Sequence, residues 1–476
     1  MKIVLADPPK IREQEKHSSV IGYPNLGILS LISYLREQLP EVECIYLEID
    51  SLNSHLEQVK KIEPDIYGIS FATYMKRVSY ITLNRVREIL GKDALLLAGG
   101  VHPTAIPEEV LNNSETNACI IGEGEETLRE FVLAVLNGQD WRSTRGIAFW
   151  NGEKVNEKII RTDPRQFLKL EEIPMPAWDI IDFNDYGGVF LSKRKPSTCI
   201  LFSRGCAYNC TFCSNPVWRS SNPWLRLRSV DSICAEIEYL YQRGIRELYI
   251  RADELNSRLD WALQVCRAIK SLDLKDLYFQ CNLRADKVNE ELAGLLHNMN
   301  CWLVHLGIES MNQRVLDGIK KHITVEDVEK TCEMLKKHHV QVYGFMMFYN
   351  AWEENGQLCY ETPEEVDNTI RQALRLRRKG YLDYMSWQFA TPYPGSDLYT
   401  IAMKYNLIAE DQKRRGQVWD LNMVLPCVSK RQMSLQRFKG LVVQTYCYWR
   451  SGNINWKFWK NAVVKIRYII ISLFER

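Results

Sequence analysis

Short apolar runs alternate with amphipathic stretches along the first 140 residues. The runs are "KIVLA", "ECIYLEI", "DIYGISF", "ALLLA" and "ACII", the lengths expected of strands. Between them, "LGILSLISYLREQL", "YITLNRVREIL" and "EETLREFVLAVL" repeat their apolar positions every three or four residues, as helices do. Strands alternating with helices predict a doubly wound parallel sheet over residues 1–140, with a ligand beyond the strands' C-terminal ends. A second alternation starts near residue 196 with "TCILFS", "RELYIR", "LYFQCNL", "CWLVHLGI", "VQVYGFMM" and "DYMSWQFA". Helical patterns such as "SVDSICAEIEYLYQRG" separate these runs, which predicts a partial (β/α)6 TIM-type barrel over 196–400. Residues 141–195, with the proline-broken "LKLEEIPMPAWDIIDFNDYGG", are expected to be a linker, and 401–476 a small helical region.

Composition narrows the partners. A net charge of +2 over 476 residues offers no basic surplus to neutralise phosphates, which argues against a nucleic-acid partner. The start "MKIVLADPPK" is a strand pattern without the apolar core of a signal peptide, and no apolar run is long enough to span a bilayer. Most of the fourteen cysteines stand singly in apolar patterns, as Cys44, Cys119, Cys234, Cys266 and Cys301 do. Those read as small buried hydrophobes in a reducing compartment, so the expected location is cytoplasmic.

Candidate chemistry gathers at strand ends. In the first domain, Ser70 to Thr73, Gly99-Gly100 and "GEGEET" (122–127) each follow a strand, and together they point to a ligand at one sheet edge. Plain turn chemistry explains any one of them alone. In the second, "CAYNCTFC" places Cys206, Cys210 and Cys213 in one loop. Structural zinc normally needs four Cys or His ligands, and no second ligand pair follows at that spacing. Three thiolates suit an iron–sulfur cluster better and leave one iron open. Asp253, Glu254, Asn282, Arg284, Glu309, Ser310 and Gln388 fall at the barrel's strand ends. A carboxylate there can bind an ammonium or ribose hydroxyls and an arginine a carboxylate, although an internal salt-bridge network is the competing use.

The C-x3-C-x2-C spacing, with Phe212 before the last cysteine, resembles the cluster loop of radical S-adenosylmethionine (SAM) enzymes. That resemblance implies a 4Fe–4S cluster on Cys206, Cys210 and Cys213 whose fourth iron takes the amino and carboxylate groups of SAM. "SFA" followed by "GG", together with "GGVHPTAIPEEVL", "IIGEGEETL", "ADELN", "NLRAD", "GIES" and "ATPYPGSDLY", is similar to the cobalamin-binding-type radical SAM family over roughly residues 1–400. The family then implies SAM contacts from Phe212, Asp253, Glu254, Arg284, Glu309, Ser310 and Gln388, with Glu309 the most secure. It implies cobalamin contacts from Ser70, Thr73, Gly99, Gly100, His102, Glu123 and Gly124, on a flavodoxin-like domain. Three departures stand out. Ala72 replaces the usual Leu. The Asp-x-His-x-x-Gly loop is missing, since Pro8 and Pro9 follow Asp7 and only His17 and His102 are near, so no histidine is expected on cobalt. In place of a Gly-x-Pro-Gly-Glu-Thr turn, residues 349–360 carry Trp352 and Cys359 in a longer loop expected to shape the pocket.

The resemblance implies an enzyme that cleaves SAM to a 5′-deoxyadenosyl radical and functionalises an unactivated carbon, with cobalamin-dependent C-methylation the first choice. Radical ring closure or rearrangement is the runner-up. A tRNA methylthiotransferase would need a second cluster, whereas the first 140 residues hold only Cys44 and Cys119. A non-catalytic iron–sulfur protein would leave "GIES" without a purpose. The expected partners are a small-molecule, lipid or peptide substrate and an electron donor such as flavodoxin or ferredoxin. In the tail, Trp456, Trp459, Val463, Ile466 and Ile470 recur at helical spacing beside Lys457, Lys460, Lys465 and Arg467. That face is expected either to contact an anionic membrane peripherally or to cap the barrel as a core helix.

Overall fold

The computed structural model describes residues 1–9, 22–152, 158–186, 191–408 and 423–452. Within them, 1–205 and 214–247 form one compact unit, and 206–213, 248–408 and 423–452 a second.

The first unit is built on strands β1 (Lys2–Ala6), β2 (Glu43–Leu47), β3 (Ile66–Ser70), β4 (Leu95–Gly99), β5 (Ala118–Ile120), β6 (Ile147–Trp150) and β7 (Ile159–Arg161). Their order is β2-β1-β3-β4-β5-β6-β7, and the first five run parallel, the flavodoxin-like arrangement. Strands covered on both faces read as unbroken apolar runs because alternate side chains enter different cores. Ile3 and Leu5 meet the helices Leu26–Gln38 and Glu125–Leu136 on one face; Val4 and Ala6 meet Leu52–Ile62 and Lys76–Leu90 on the other. The sheet runs past residue 140, into the span expected to be a linker. There β6 pairs antiparallel with β5, and β7 with β6. β6 is reached through the helix Glu125–Leu136 and so continues the strand–helix alternation by one strand, whereas no helix separates β7 from β6 among the described residues. The proline-rich stretch also packs into this unit. Ala177 joins a core cluster, and the buried Trp178 donates its indole N–H to Glu236 at 2.8 Å. Strand β8 (Ser197–Leu201) and the short antiparallel pair β9 (Ser203–Arg204) and β10 (Arg226–Leu227) complete the unit.

The second unit is the partial barrel. Strands β11 (Glu247–Arg251), β12 (Tyr278–Leu283), β13 (Cys301–Glu309), β14 (Gln341–Phe348) and β17 (Tyr384–Phe389) are neighbours in the order β17-β14-β13-β12-β11. Helices Leu259–Ser271, Glu290–Asn298, Val325–Lys337 and Pro363–Lys379 connect them; the last two open on capping boxes, Thr324 with Asp327 and Thr362 with Glu365. Along β14, Val342, Gly344, Met346 and Phe348 are buried, whereas Tyr343, Phe345 and Met347 take the other face, toward the barrel interior. Residues 349–360 form an antiparallel hairpin, β15 (Ala351–Glu354) with β16 (Gln357–Tyr360), where a loop was expected. The helical C-terminal region contains Lys430–Arg450, which meets Trp387 at Gly440; a Cβ there would stand 2.8 Å from the indole. The tail 453–476, with its Trp/Ile face, lies outside the described residues. Among the described residues no helix is long and apolar enough to cross a membrane.

Candidate active site

The cysteine loop is fixed by its backbone. The Cys213 N–H donates to the Cys210 carbonyl at 3.1 Å, and the Thr211 N–H to the Ile319 carbonyl at 3.0 Å, just past the helix Gln313–Gly318. The Leu398 N–H, at the start of the helix Asp397–Lys404, donates to the Thr211 carbonyl at 2.8 Å. Phe212 packs beside Val315, Ile319 and Trp352, so the hairpin that replaces the family's usual turn buttresses the loop. Gly318 makes that docking possible, because a Cβ there would fall inside the Trp352 ring. Tyr208, between the first two cysteines, lies 3.5 Å below the Arg284 guanidinium.

The donors suit a cluster. Among the described residues no three His, Cys, Asp or Glu side chains converge as around a single metal ion. A four-iron cluster instead gives each thiolate its own iron, and three thiols in one loop match that demand. Burial pushes the Cys206 thiol up to about 12, so a thiolate there depends on the positive charge of bound iron.

Charged groups of both signs stand beside this loop in the same unit. Glu309 ends β13 with a left-handed φ of 61°, at a register shift against β14 that follows Gly307. Its carboxylate accepts from Lys321 Nζ at 3.1 Å. Burial alone would lower the Lys321 pKa, but the charges of Glu309, Cys210 and Glu254 raise it above the ordinary value, which keeps the ammonium charged. Gly307 leaves space for this pair, since a Cβ would stand 2.7 Å from Glu309 Oε1 and 2.8 Å from Lys321 Nζ. Glu254 lies 4.0 Å from Arg284 Nη1, and burial lifts its carboxyl to about 7 against the pull of Arg284 and Lys321. Asp253, next to it, is exposed.

Two expected SAM contacts turn out to be held internally. Arg284 is only 1% exposed; its guanidinium bonds Asp286 and the carbonyls of Lys321 and His322, leaving Nη1 alone without a hydrogen-bond partner. Such an arginine pins the Tyr208 loop and cannot offer a free fork to a carboxylate. The buried Ser310 hydroxyl donates to Glu361 and meets Thr369, tying the end of β13 to the helix Pro363–Lys379. Gln388 is exposed on β17, two strands from Glu309. The Asn of "ADELN" is structural as well: Asn256 exchanges hydrogen bonds of 2.9 Å with the Arg284 backbone. Lys321, Tyr208 and Asn256 were not anticipated. Lys321 carries no periodic signal in "GIKKHIT", and only the proximity of "GIES" hinted at a partner for Glu309.

In the first unit the expected cobalamin contacts separate into two groups. Ser70 and Gly99 are register partners on β3 and β4, which sets the strand-end hydroxyl beside the glycine pair. Gly100 has φ 97°, and a Cβ there would strike the Phe71 backbone at 2.8 Å. Among the described residues no other group partners the Ser70 hydroxyl, so this strand edge keeps a polar atom for a cofactor beside backbone that carries no side chain. His102 belongs to a closed network: 0% exposed, it meets Tyr80 through Nε2 at 2.9 Å and Thr73 through Nδ1 at 3.2 Å. Burial lowers its pKa to about 4. Glu123 is likewise taken, by Arg204 at 3.0 Å and by Arg226, while Arg204 also grips the buried Glu125 at 2.6 Å. Gly124 starts the helix Glu125–Leu136 in close contact with Leu31. His17 lies outside the described residues.

The fold and the site define a radical SAM barrel joined to a cobalamin-binding-type sheet. The family model of the Radical SAM superfamily matches residues 200–355, and that of the B12 binding domain matches residues 20–132. An uncharacterized methyltransferase of Pyrococcus horikoshii is 30% identical over 438 residues, 91% of this chain and 90% of the relative. The chain belongs to the cobalamin-binding-type radical SAM family, an enzyme family whose cofactors are a 4Fe–4S cluster, SAM and cobalamin. The anaerobic magnesium-protoporphyrin IX monomethyl ester cyclase of Rubrivivax gelatinosus is 26% identical over 72% of this chain, which spans 59% of that relative. Among solved structures, the cobalamin-dependent SAM radical enzyme OxsB shares the fold, with TM-score 0.72 and 18% identity over 99% of this chain and 72% of that one.

Proposed function

We propose that this enzyme is a cobalamin-dependent radical SAM methyltransferase acting on an unactivated carbon. The observation that carries the reading is the Glu309–Lys321 pair beside the Cys206–Cys213 loop, with Asp253 and Glu254 just past the end of β11, two strands away. SAM brings an ammonium, a carboxylate and ribose hydroxyls, and these residues offer the matching opposite groups. In this reading Glu309 holds the ammonium, Lys321 turns toward the carboxylate, and Asp253 takes ribose hydroxyls. Glu254, poised near neutrality, adjusts the local charge. When bound, the cluster, SAM and cobalamin supply radical formation and a transferable methyl group. The chain's own contribution is to position them and exclude water: Tyr208 under Arg284 and Phe212 against Trp352 hold the loop rigid, and buried Cys206 keeps the ligating sulfur from solvent. An external one-electron donor such as flavodoxin or ferredoxin completes the requirement.

The methyltransferase relative supports this choice over ring closure, which the cyclase relative keeps as the second reading. Product analysis separates the two. With its substrate and a reductant, anaerobically reconstituted enzyme should form S-adenosylhomocysteine and 5′-deoxyadenosine in equal amounts. Formation of 5′-deoxyadenosine alone would favour ring closure or rearrangement, and formation of neither would refute both.

A further inference from the structure

The barrel interior carries an aromatic wall and a cation with no carboxylate partner among the described residues, and none of the roles above uses them. Tyr249 and Arg251 on β11, His305 on β13, and Tyr343 and Phe345 on β14 occupy alternate positions that turn away from the covering helices. The rings stack on one another across the strands. His305 lies 5.0 Å from Tyr249 and 5.2 Å from Tyr343, both at 29°, and 5.7 Å from Phe345 at 22°. Its Nε2 meets Gln280 Oε1 at 2.8 Å, whereas its buried Nδ1 has no partner.

An ordinary core would cover this wall. Phe345 is nevertheless 38% exposed, in mid-strand between two buried neighbours. Its register partner on β13 is Gly307, which contributes no side chain to cover the ring; the space at that glycine is taken by the ends of Glu309 and Lys321. An aromatic ring left open to solvent at the edge of a mostly buried aromatic wall offers a binding surface. Arg251 is exposed as well, 4.3 Å above the Tyr249 ring. Arginines nearby are paired, Arg258 with Asp260 and Arg267 with Glu291, but Arg251 has no carboxylate among the described residues. A guanidinium over a ring, with no carboxylate among the described residues, is placed to take an anion.

Resting on the enzyme reading above, the geometry points to the barrel interior as a substrate chamber for a molecule with a flat unsaturated ring and an anionic group. The ring lies on Phe345, and Arg251 holds the carboxylate or phosphate. Neither residue takes part in bond breaking; together they set which substrates enter.

Equilibrium dialysis of the anaerobically reconstituted full chain with SAM tests this, using 2-naphthoate, 2-naphthyl phosphate and the neutral 2-naphthamide as probes. Wild type should favour an anion over the amide by about tenfold, the return expected of one charge-assisted contact. The better of the two anions distinguishes carboxylate from phosphate. Arg251→Gln should abolish the preference, Arg251→Lys should keep part of it, and Phe345→Ala should weaken all three probes about fivefold. Wild-type cluster absorbance in each variant verifies folding, and the Lys variant carries the comparison should the Gln variant lose it. The assignment is overturned if wild type binds none of the probes, ranks the amide with the anions, or keeps its preference in both Arg251 variants. Reductive SAM cleavage by wild type, measured on the same samples, separates the two failures. Cleavage without anion preference removes only the chamber, whereas absence of cleavage removes the enzyme reading.

Discussion

Replacing Gly307 by Ala adds one methyl group where the barrel keeps its paired charges. The new carbon would stand 2.7 Å from Glu309 Oε1 and 2.8 Å from Lys321 Nζ, so each must retreat by roughly 0.7 Å to reach ordinary contact. Both atoms end flexible side chains, and the backbone need not move. The pair itself, at 3.1 Å and largely shielded from solvent, must open. Overpacking of this kind costs about 1–3 kcal/mol, and a charge-assisted hydrogen bond is worth about 1.5–3 kcal/mol. The two overlap, so about 2 kcal/mol is the working figure for the displaced pair, or about a thirtyfold loss of SAM affinity if bound SAM requires the original geometry. The folded chain should lose less, because Glu309 can turn toward the open barrel mouth. Gly294→Ala, whose Cβ would make an ordinary 3.6 Å contact with His338, is the matched control. Anaerobic equilibrium dialysis with labelled SAM, beside urea unfolding, reads both quantities. A Gly307→Ala protein with an intact cluster and SAM affinity within about twofold of wild type would refute the pairing argument.

Other expectations follow from single groups. Cys210→Ala should remove the cluster's charge-transfer absorbance and SAM cleavage together; stoichiometric zinc in native protein would contradict the cluster. His102→Ala should leave the paramagnetic spectrum of bound cob(II)alamin without any change in nitrogen splitting, because both ring nitrogens are engaged by Tyr80 and Thr73. A splitting present in wild type and lost in the variant would contradict this. Burial lifts the Asp7 carboxyl from 3.8 to about 6, against hydrogen bonds from Tyr46 and Asn25. Between those values the folded chain keeps a proton that the unfolded chain has lost, so the contribution of Asp7 to stability is greatest below about pH 4 and is lost as pH rises through about 6, by no more than about 3 kcal/mol. Asp7→Asn should therefore flatten the fall in urea midpoint between pH 5 and 7.5, and equal slopes in both proteins would rule that out.

Much of this was legible in the chain. Strand–helix alternation carried the parallel strands of both sheets, because a crossover leaves a periodic helix between every two of them. The cysteine loop was legible because ligand number and spacing are fixed by cluster chemistry, whatever the surrounding packing. What pattern could not supply was partnership. Arg284, Ser310 and Glu123 stand where ligand-binding residues belong, yet each spends its polar atoms on the protein, and no property of the single residue distinguishes the two uses. Lys321 was invisible for the converse reason: its importance lies in facing Glu309 across a turn, in a "KKH" run that resembles any solvated helix end. The hairpin at 349–360 reads as a loop in sequence, since Trp352 and Cys359 give too few alternating positions to announce two short strands.

That hairpin also offers an experimental foothold. Asn355 and Gly356, with φ of 50° and 76°, make the two-residue turn that suits a twisted antiparallel pair, and the side chains from Glu353 to Gln357 are exposed. Its base is held by Trp352 against Phe212, and hydrogen bonds to Glu353 from Lys404 and to the Gly356 carbonyl at the turn from Tyr405 fix its far end, leaving the Asn355 side chain outside. The tip is therefore tolerant of chemistry while its position stays referenced to the cysteine loop. A nitroxide attached at position 355 through a noncanonical amino acid would act as a fixed beacon, and its dipolar coupling to the reduced cluster would serve as a ruler for movement of the loop during turnover.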